Sequence, residues 1–132
     1  MFTLAYSNLG ASPDGGSSYF LPRILGTRKA LELAFLPDRF DAATALSIGL
    51  VNWVVPAAEL DARVASIAKR LASGPTLAFA KTKALMNQSH DMSIEAQLEA
   101  EVLSFAECAR GPDLREGVMA FVEKRKPNFG GK

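Results

Sequence analysis

Cysteine, histidine and tryptophan each occur once in the 132 residues. The single Cys108 cannot close an intrachain disulfide, so a disulfide-stapled secreted fold is excluded and a reducing, cytoplasmic location is expected. One His and one Cys also exclude a His/Cys metal cluster; nothing marks a carboxylate site, so no metal is expected. Charge of one sign is absent too. Fifteen Lys and Arg balance fourteen Asp and Glu, for a formal net charge of +1, which gives no general argument for nucleic acid as a partner. No apolar run approaches the length of a membrane span. The N-terminal "MFTLAYSNLGAS" lacks the basic start and long apolar centre of a secretory signal. There are no internal repeats and no low-complexity segment. Strand-forming segments are scarce.

What is present is a composition for a soluble, folded chain, 48% hydrophobic and 22% charged. "FTLAYS" near the start reads as a short strand, and "NLGASPDGG" after it as a loop. A helix is expected from about Gly15, with Asp14 as its N-cap and Pro22 kinking or dividing it. "TRKALELAF" follows with a capping Thr27, then "DAATALSIG" with a capping Asp41. "LVNWVVP" is the second strand candidate. Beyond it the chain reads as helical. Leu60, Val64, Ile67 and Leu71 form one apolar stripe; Ile94, Leu98, Val102, Phe105 and Ala109 form another, behind a capping Ser93. Leu114, Val118, Phe121 and Val122 mark a last helix, and the tail "KPNFGGK" is expected to be loose.

Two short strands cannot make a sheet. A helical tail behind a strand without partners is what the second half of an α/β domain looks like. The expected division is residues 1–56, the remainder of a β-containing core, and residues 57–132, a helical covering region.

Four blocks carry a resemblance: "LGASPDGGSSYFLPRILG", "ALSIGLVNWVVP", "GPTLAFAKTKALMNQS" and "EGVMAFVEKRKPNF". In this order they resemble the crotonase superfamily, the enoyl-CoA hydratase/isomerase family. The resemblance covers essentially the whole chain but only the C-terminal half of a family member. It implies an α/β fold of the crotonase spiral type, here mostly helical with one or two short strands. The implied substrate is an acyl-coenzyme A thioester handled through an enolate, with no cofactor beyond the coenzyme A of the substrate. The implied assembly is a homo-oligomer, trimer or hexamer. The family's two backbone N–H donors for the thioester carbonyl lie in the N-terminal half, and neither motif is found in this sequence. The chain alone is therefore expected to do little or no catalysis.

The hydratases' second glutamate falls, by this resemblance, on Tyr6, which cannot replace a carboxylate as a base near neutral pH. Tyr6 reads as a strand aromatic or a substrate contact. Asp14 matches the working Asp of certain isomerases and of the aromatic dehalogenase type. A partly desolvated Asp would suit proton transfer beside a thioester, or would attack as a nucleophile. A helix-capping role for Asp14 is equally weighted. Gly15 and Gly16 allow close approach of an acyl chain or make a tight turn, the turn favoured. Tyr19, Phe20 and Leu21 line an acyl pocket or join the core, the core favoured. The resemblance places Phe121 and Lys124 near the adenine and phosphates of coenzyme A, with Arg125 and Lys126 adding positive charge; a solvated helix end is the alternative. His90 reads as an exposed loop residue and Cys108 as buried filler. Glu95, Glu99, Glu101 and Glu107 read as a solvated helix face. Isomerisation is expected first because Asp14 is present and Tyr6 is not acidic. Hydration is the alternative, and a non-catalytic helical oligomerisation module is a reading of a different class.

Overall fold

The computed structural model describes every residue, Met1–Lys132. The chain forms two compact units, Met1–Ala58 and Glu59–Lys132. The first holds a 3-10 helix (Ala5–Leu9), α1 (Ser17–Leu25), α2 (Thr27–Phe35) and α3 (Ala42–Ser47). After a 3-10 turn at Ala57–Glu59, the second holds α4 (Leu60–Ala72), α5 (Thr76–Gln88), α6 (Ile94–Arg110) and α7 (Pro112–Val122).

Neither expected strand forms. The β structure is one antiparallel bridge between Phe2 and Phe40, whose backbones exchange hydrogen bonds of 2.8 and 3.0 Å. Their rings stack with centroids 5.6 Å apart. The rest of "FTLAYS" winds into the 3-10 helix, and "LVNWVVP" joins no ladder. The reason is the shortage of partners: a strand with no neighbouring edge leaves its N–H and C=O groups unpaired and gains nothing by extending.

The helix caps follow local chemistry closely. The Asp41 carboxylate accepts the Thr44 N–H at 2.8 Å to start α3, and the Ser93 hydroxyl accepts the Ala96 N–H at 3.3 Å to start α6. Pro112 opens α7, where its missing N–H costs nothing. Three expectations are corrected. Thr27 is the first residue of α2 rather than its cap; Gly26 takes that place with no side-chain bond. Pro22 lies inside α1, which runs unbroken to Leu25. The lost Pro22 N–H removes one bond to the turn before, too little to end a helix that packs along α2. Asp14 does not cap α1, as described below.

The C-terminal tail, expected to be loose, is clamped. Asp113, only 8% exposed, accepts the N–H of Gly130 at 2.7 Å and of Gly131 at 2.8 Å. Glu116 accepts the Asn128 N–H at 2.7 Å, and the Thr76 hydroxyl donates to the Gly131 carbonyl at 3.1 Å. Two carboxylates on α7 thus hold the last five residues in place.

Few side chains are buried. Ala30, Ala45, Ala120 and Asp113 are, and no large side chain is fully enclosed. The stripes of α4 (Leu60, Val64, Leu71) and α6 (Ile94, Leu98, Val102, Phe105) are formed as the sequence predicts but stand exposed. The accessible surface is 10105 Å². Inside the second unit, α6 packs on α5 and α7. Lys81 of α5 pairs with Glu107 of α6 at 2.5 Å, and the Gln97 amide of α6 donates to the Leu85 carbonyl of α5 at 3.2 Å.

Candidate functional site

In the first unit, Tyr6 and Asp14 come together. The 3-10 helix ends at Gly10 in the left-handed conformation, which turns the chain back so that Asp14 meets the face carrying Tyr6. The Tyr6 hydroxyl donates to Oδ1 of Asp14 in a short hydrogen bond. That bond pushes the Tyr6 hydroxyl above its ordinary pKa of 10.0, with desolvation and the carboxylate's charge acting the same way. Tyr6 is therefore a protonated donor near neutral pH, not a base. It sits in a 3-10 helix rather than a strand.

The Asp14 carboxylate is not spent on capping. The N-cap of α1 is Gly16, which makes no side-chain bond; the Ser17 N–H goes to the backbone carbonyl of Asp14 at 3.1 Å. Gly15 and Gly16 have φ of +58° and +83°, the left-handed region that glycine enters freely. A Cβ on Gly16 would lie 3.0 Å from the Phe20 ring, so that position has little room for a side chain. Asp14 is exposed, so the partial desolvation expected of a base is not supplied within this chain.

Tyr19 departs from its expected core role. It is 44% exposed, with the Arg23 guanidinium 3.5 Å over its ring centroid and the Phe20 ring edge-on at 5.1 Å. Phe20 is exposed as well. The first unit does carry an apolar cavity of about 310 Å³, walled by Leu4, Pro13, Leu21, Leu31, Ala34 and Phe35. Leu21 belongs to it and Tyr19 does not.

In the second unit, Phe121 and Lys124 share the C-terminal turn of α7. Phe121 is 84% exposed. Lys124 has φ of +54°, the one non-glycine residue with positive φ. Its N–H donates to the Phe121 carbonyl at 3.3 Å, and the Arg125 N–H to the Ala120 carbonyl at 3.0 Å. This is the Schellman arrangement, in which the Lys124 position is normally glycine. Left-handed backbone costs a residue with a Cβ about 1 kcal/mol.

Arg125 does not add free positive charge, contrary to expectation. Its guanidinium grips Glu116 with two bonds of 2.6 and 2.9 Å and Glu123 with one of 2.6 Å. The Arg125 bond first, and the Asn128 N–H second, bring Glu116 from 4.5 to about 2. Lys124 and Lys126 appear in none of these pairs. His90 lies in an exposed turn. Cys108 is free and half-buried, lining an apolar cavity of about 360 Å³ closed on one side by Phe129 of the clamped tail.

The sequence profile of the Enoyl-CoA hydratase/isomerase family matches residues 1–132. The chain belongs to this family. It is 35% identical over 131 residues to the 1,2-epoxyphenylacetyl-CoA isomerase of Escherichia coli, covering 99% of this chain and 50% of that protein. It is 39% identical over 121 residues to the crotonyl-CoA hydratase of Syntrophomonas wolfei, covering 92% and 46%. The crystal structure of an enoyl-CoA hydratase/isomerase from Cupriavidus metallidurans superposes with a TM-score of 0.90 at 35% identity, over 98% of this chain and 49% of that one. The chain thus spans about half the length of the curated relatives it matches. Its fold is the mostly helical C-terminal half of the α/β crotonase type, which explains why strands are nearly absent. Relatives of both names, hydratase and isomerase, match at comparable identity.

Sequence reasoning missed the Glu116–Arg125 pair and the Asp113 clamp. Both join residues 9 to 18 positions apart across an irregular tail. The one available signal was a Gly-Gly pair following a helix that carries two acids.

Proposed function

We propose that this chain supplies the acid–base wall and a coenzyme A contact to an enzyme that shifts a double bond in an acyl-coenzyme A thioester. The observation that carries the reading is the Tyr6–Asp14 pair: a carboxylate released from capping and held at one oxygen by a protonated tyrosine. Oδ1 accepts from Tyr6, which leaves Oδ2 as the basic atom. Oδ2 takes a proton from the carbon between the alkene and the thioester carbonyl. The C–H electron pair moves into the carbonyl as an enolate, and the same proton returns at the far end of the former double bond. Tyr6 keeps the carboxylate aimed and does not itself exchange the proton. Tyr6 stands where the hydratases carry their second glutamate, so this chain offers no carboxylate at that position to activate water, which favours isomerisation. Enolate stabilisation by backbone N–H groups belongs to the part of the family fold this chain does not span.

The exposed stripes of α4 and α6 support a trimer or hexamer with these faces covered. Phe121 and Lys124 are the proposed contacts to the adenine and phosphates. No cofactor beyond the coenzyme A of the substrate enters this reaction. The free Cys108 accords with a reducing, cytoplasmic compartment.

The test is a hybrid in which the half of the Escherichia coli isomerase that this chain does not match is joined to it. Offered a 3-enoyl-coenzyme A thioester, the hybrid is expected to yield the 2-enoyl isomer. Accumulation of 3-hydroxyacyl product from the 2-enoyl thioester, without isomerisation, would give the site to hydration instead.

A further inference from the structure

We infer that the Glu116–Arg125 pair is a positioning device, which holds the chain at Lys124 in its left-handed conformation and so presents the Lys124 ammonium beside Phe121. The inference rests on the reading of Lys124 as a phosphate contact and says how that contact is built.

Three observations lead to it. First, a lysine occupies the position of a Schellman motif that favours glycine, with φ of +54°. A strained backbone persists where its surroundings over-determine it. Second, the residues on either side of Lys124 are tied down. Glu123 accepts from Arg125 Nε at 2.6 Å; Arg125 Nη1 and Nη2 grip Glu116 at 2.6 and 2.9 Å; Nη1 also donates to the Lys126 carbonyl at 3.2 Å. Four of the five guanidinium N–H groups are thus engaged. The same Glu116 carboxylate accepts the Asn128 N–H at 2.7 Å, which fastens the chain on the far side of the turn. Third, Arg125 would be the natural phosphate ligand of "EKRK" by its planar fork, yet it is consumed internally. Lys124 is left as the cation on the turn that carries the exposed Phe121.

Positioning and simple charge predict opposite signs. Glu116→Gln removes a negative charge near the proposed phosphate site and releases Arg125, so electrostatics alone tightens binding of a polyanion. Positioning loosens it.

The experiment is a nuclear magnetic resonance titration of the 132-residue chain with coenzyme A, with the Lys124 Cα shift as a ligand-free report of its backbone. Four forms are compared: wild type, Lys124→Ala, Glu116→Gln and the double variant. Lys124→Ala is expected to weaken coenzyme A binding roughly tenfold. Glu116→Gln is expected to weaken it several-fold and to move the Lys124 Cα shift out of the left-handed range. The double variant is expected to bind no worse than Lys124→Ala, because both changes remove one contact. Arg125→Lys, which keeps the charge but loses the fork, is expected to match Glu116→Gln and serves if that variant does not fold. Unchanged or tighter binding by Glu116→Gln and Arg125→Lys, with Lys124→Ala still weak, overturns the positioning role and leaves the phosphate reading standing. Equal binding by Lys124→Ala and wild type, or no binding by either, overturns the phosphate reading and with it the role inferred here. The Lys124 shift then reports separately whether the pair holds the backbone.

Discussion

Replacing Lys124 by glycine should make the chain more stable while removing a cation from its proposed coenzyme A contact. Lys124 stands at φ of +54° in the Schellman turn after α7. Alanine there keeps the Cβ and its clash with the following carbonyl; glycine removes both. The left-handed penalty for a residue with a Cβ is about 1 kcal/mol, and the larger unfolded-state freedom of glycine takes back only part of it. The comparison that isolates strain is Lys124→Gly against Lys124→Ala, since both lose the same side chain. The net is about 0.5 kcal/mol, which an unfolding entropy of about 2.1 cal/mol/K per residue over this length turns into a difference of about 2 °C. Melting of the two variants by circular dichroism at equal concentration measures it. The glycine variant should melt higher. Equal melting, or a lower value for glycine, would mean that the turn is unstrained and that Arg125 and Glu116 hold nothing under tension.

Other predictions bear on the remaining parts of the account. Asp113→Ala leaves two part-buried tail N–H groups without their acceptor, and should cost roughly 2–3 kcal/mol in urea unfolding and speed proteolysis after Pro127. Glu116 titrates at about 2 in the folded chain against 4.5 ordinarily, so its contribution is complete above pH 4.5 and is lost as pH falls toward 2. The urea midpoint of wild type should therefore converge on that of Glu116→Gln as pH drops from 5 to 2; a constant difference contradicts the pair's role. Gly16→Ala puts a Cβ 3.0 Å from the Phe20 ring at φ of +83°, and should lower the melting temperature by several degrees.

Local chemistry was legible in the sequence and long-range chemistry was not. Asp41 and Ser93 cap their helices because the bond they make lies three residues ahead, within the reach of sequence inspection. The apolar stripes of α4 and α6 were readable for the same reason, although what covers them was not. "FTLAYS" and "LVNWVVP" have strand composition, but a strand is a relation between segments and the partners are not in this chain. Asp14 shows the limit most plainly. Its position before two glycines is equally good for a cap and for a base. What the sequence did not show is that Gly16 takes the N-cap place and that Tyr6, eight residues away, donates to one oxygen of the carboxylate. The tail composition suggests disorder, yet Asp113 and Glu116 of α7 bind its backbone directly.

The central claim is that Asp14 moves the proton. The most direct measurement is deuterium uptake into a 3-enoyl-coenzyme A thioester in heavy water, followed by mass spectrometry, for the hybrid enzyme carrying Asp14, Asp14→Asn or Tyr6→Phe. The account predicts that Asp14→Asn slows both exchange and isomerisation by a factor of roughly 10²–10⁴, with a smaller loss for Tyr6→Phe. Exchange by Asp14→Asn at the rate of the unchanged hybrid would show that another group carries the proton.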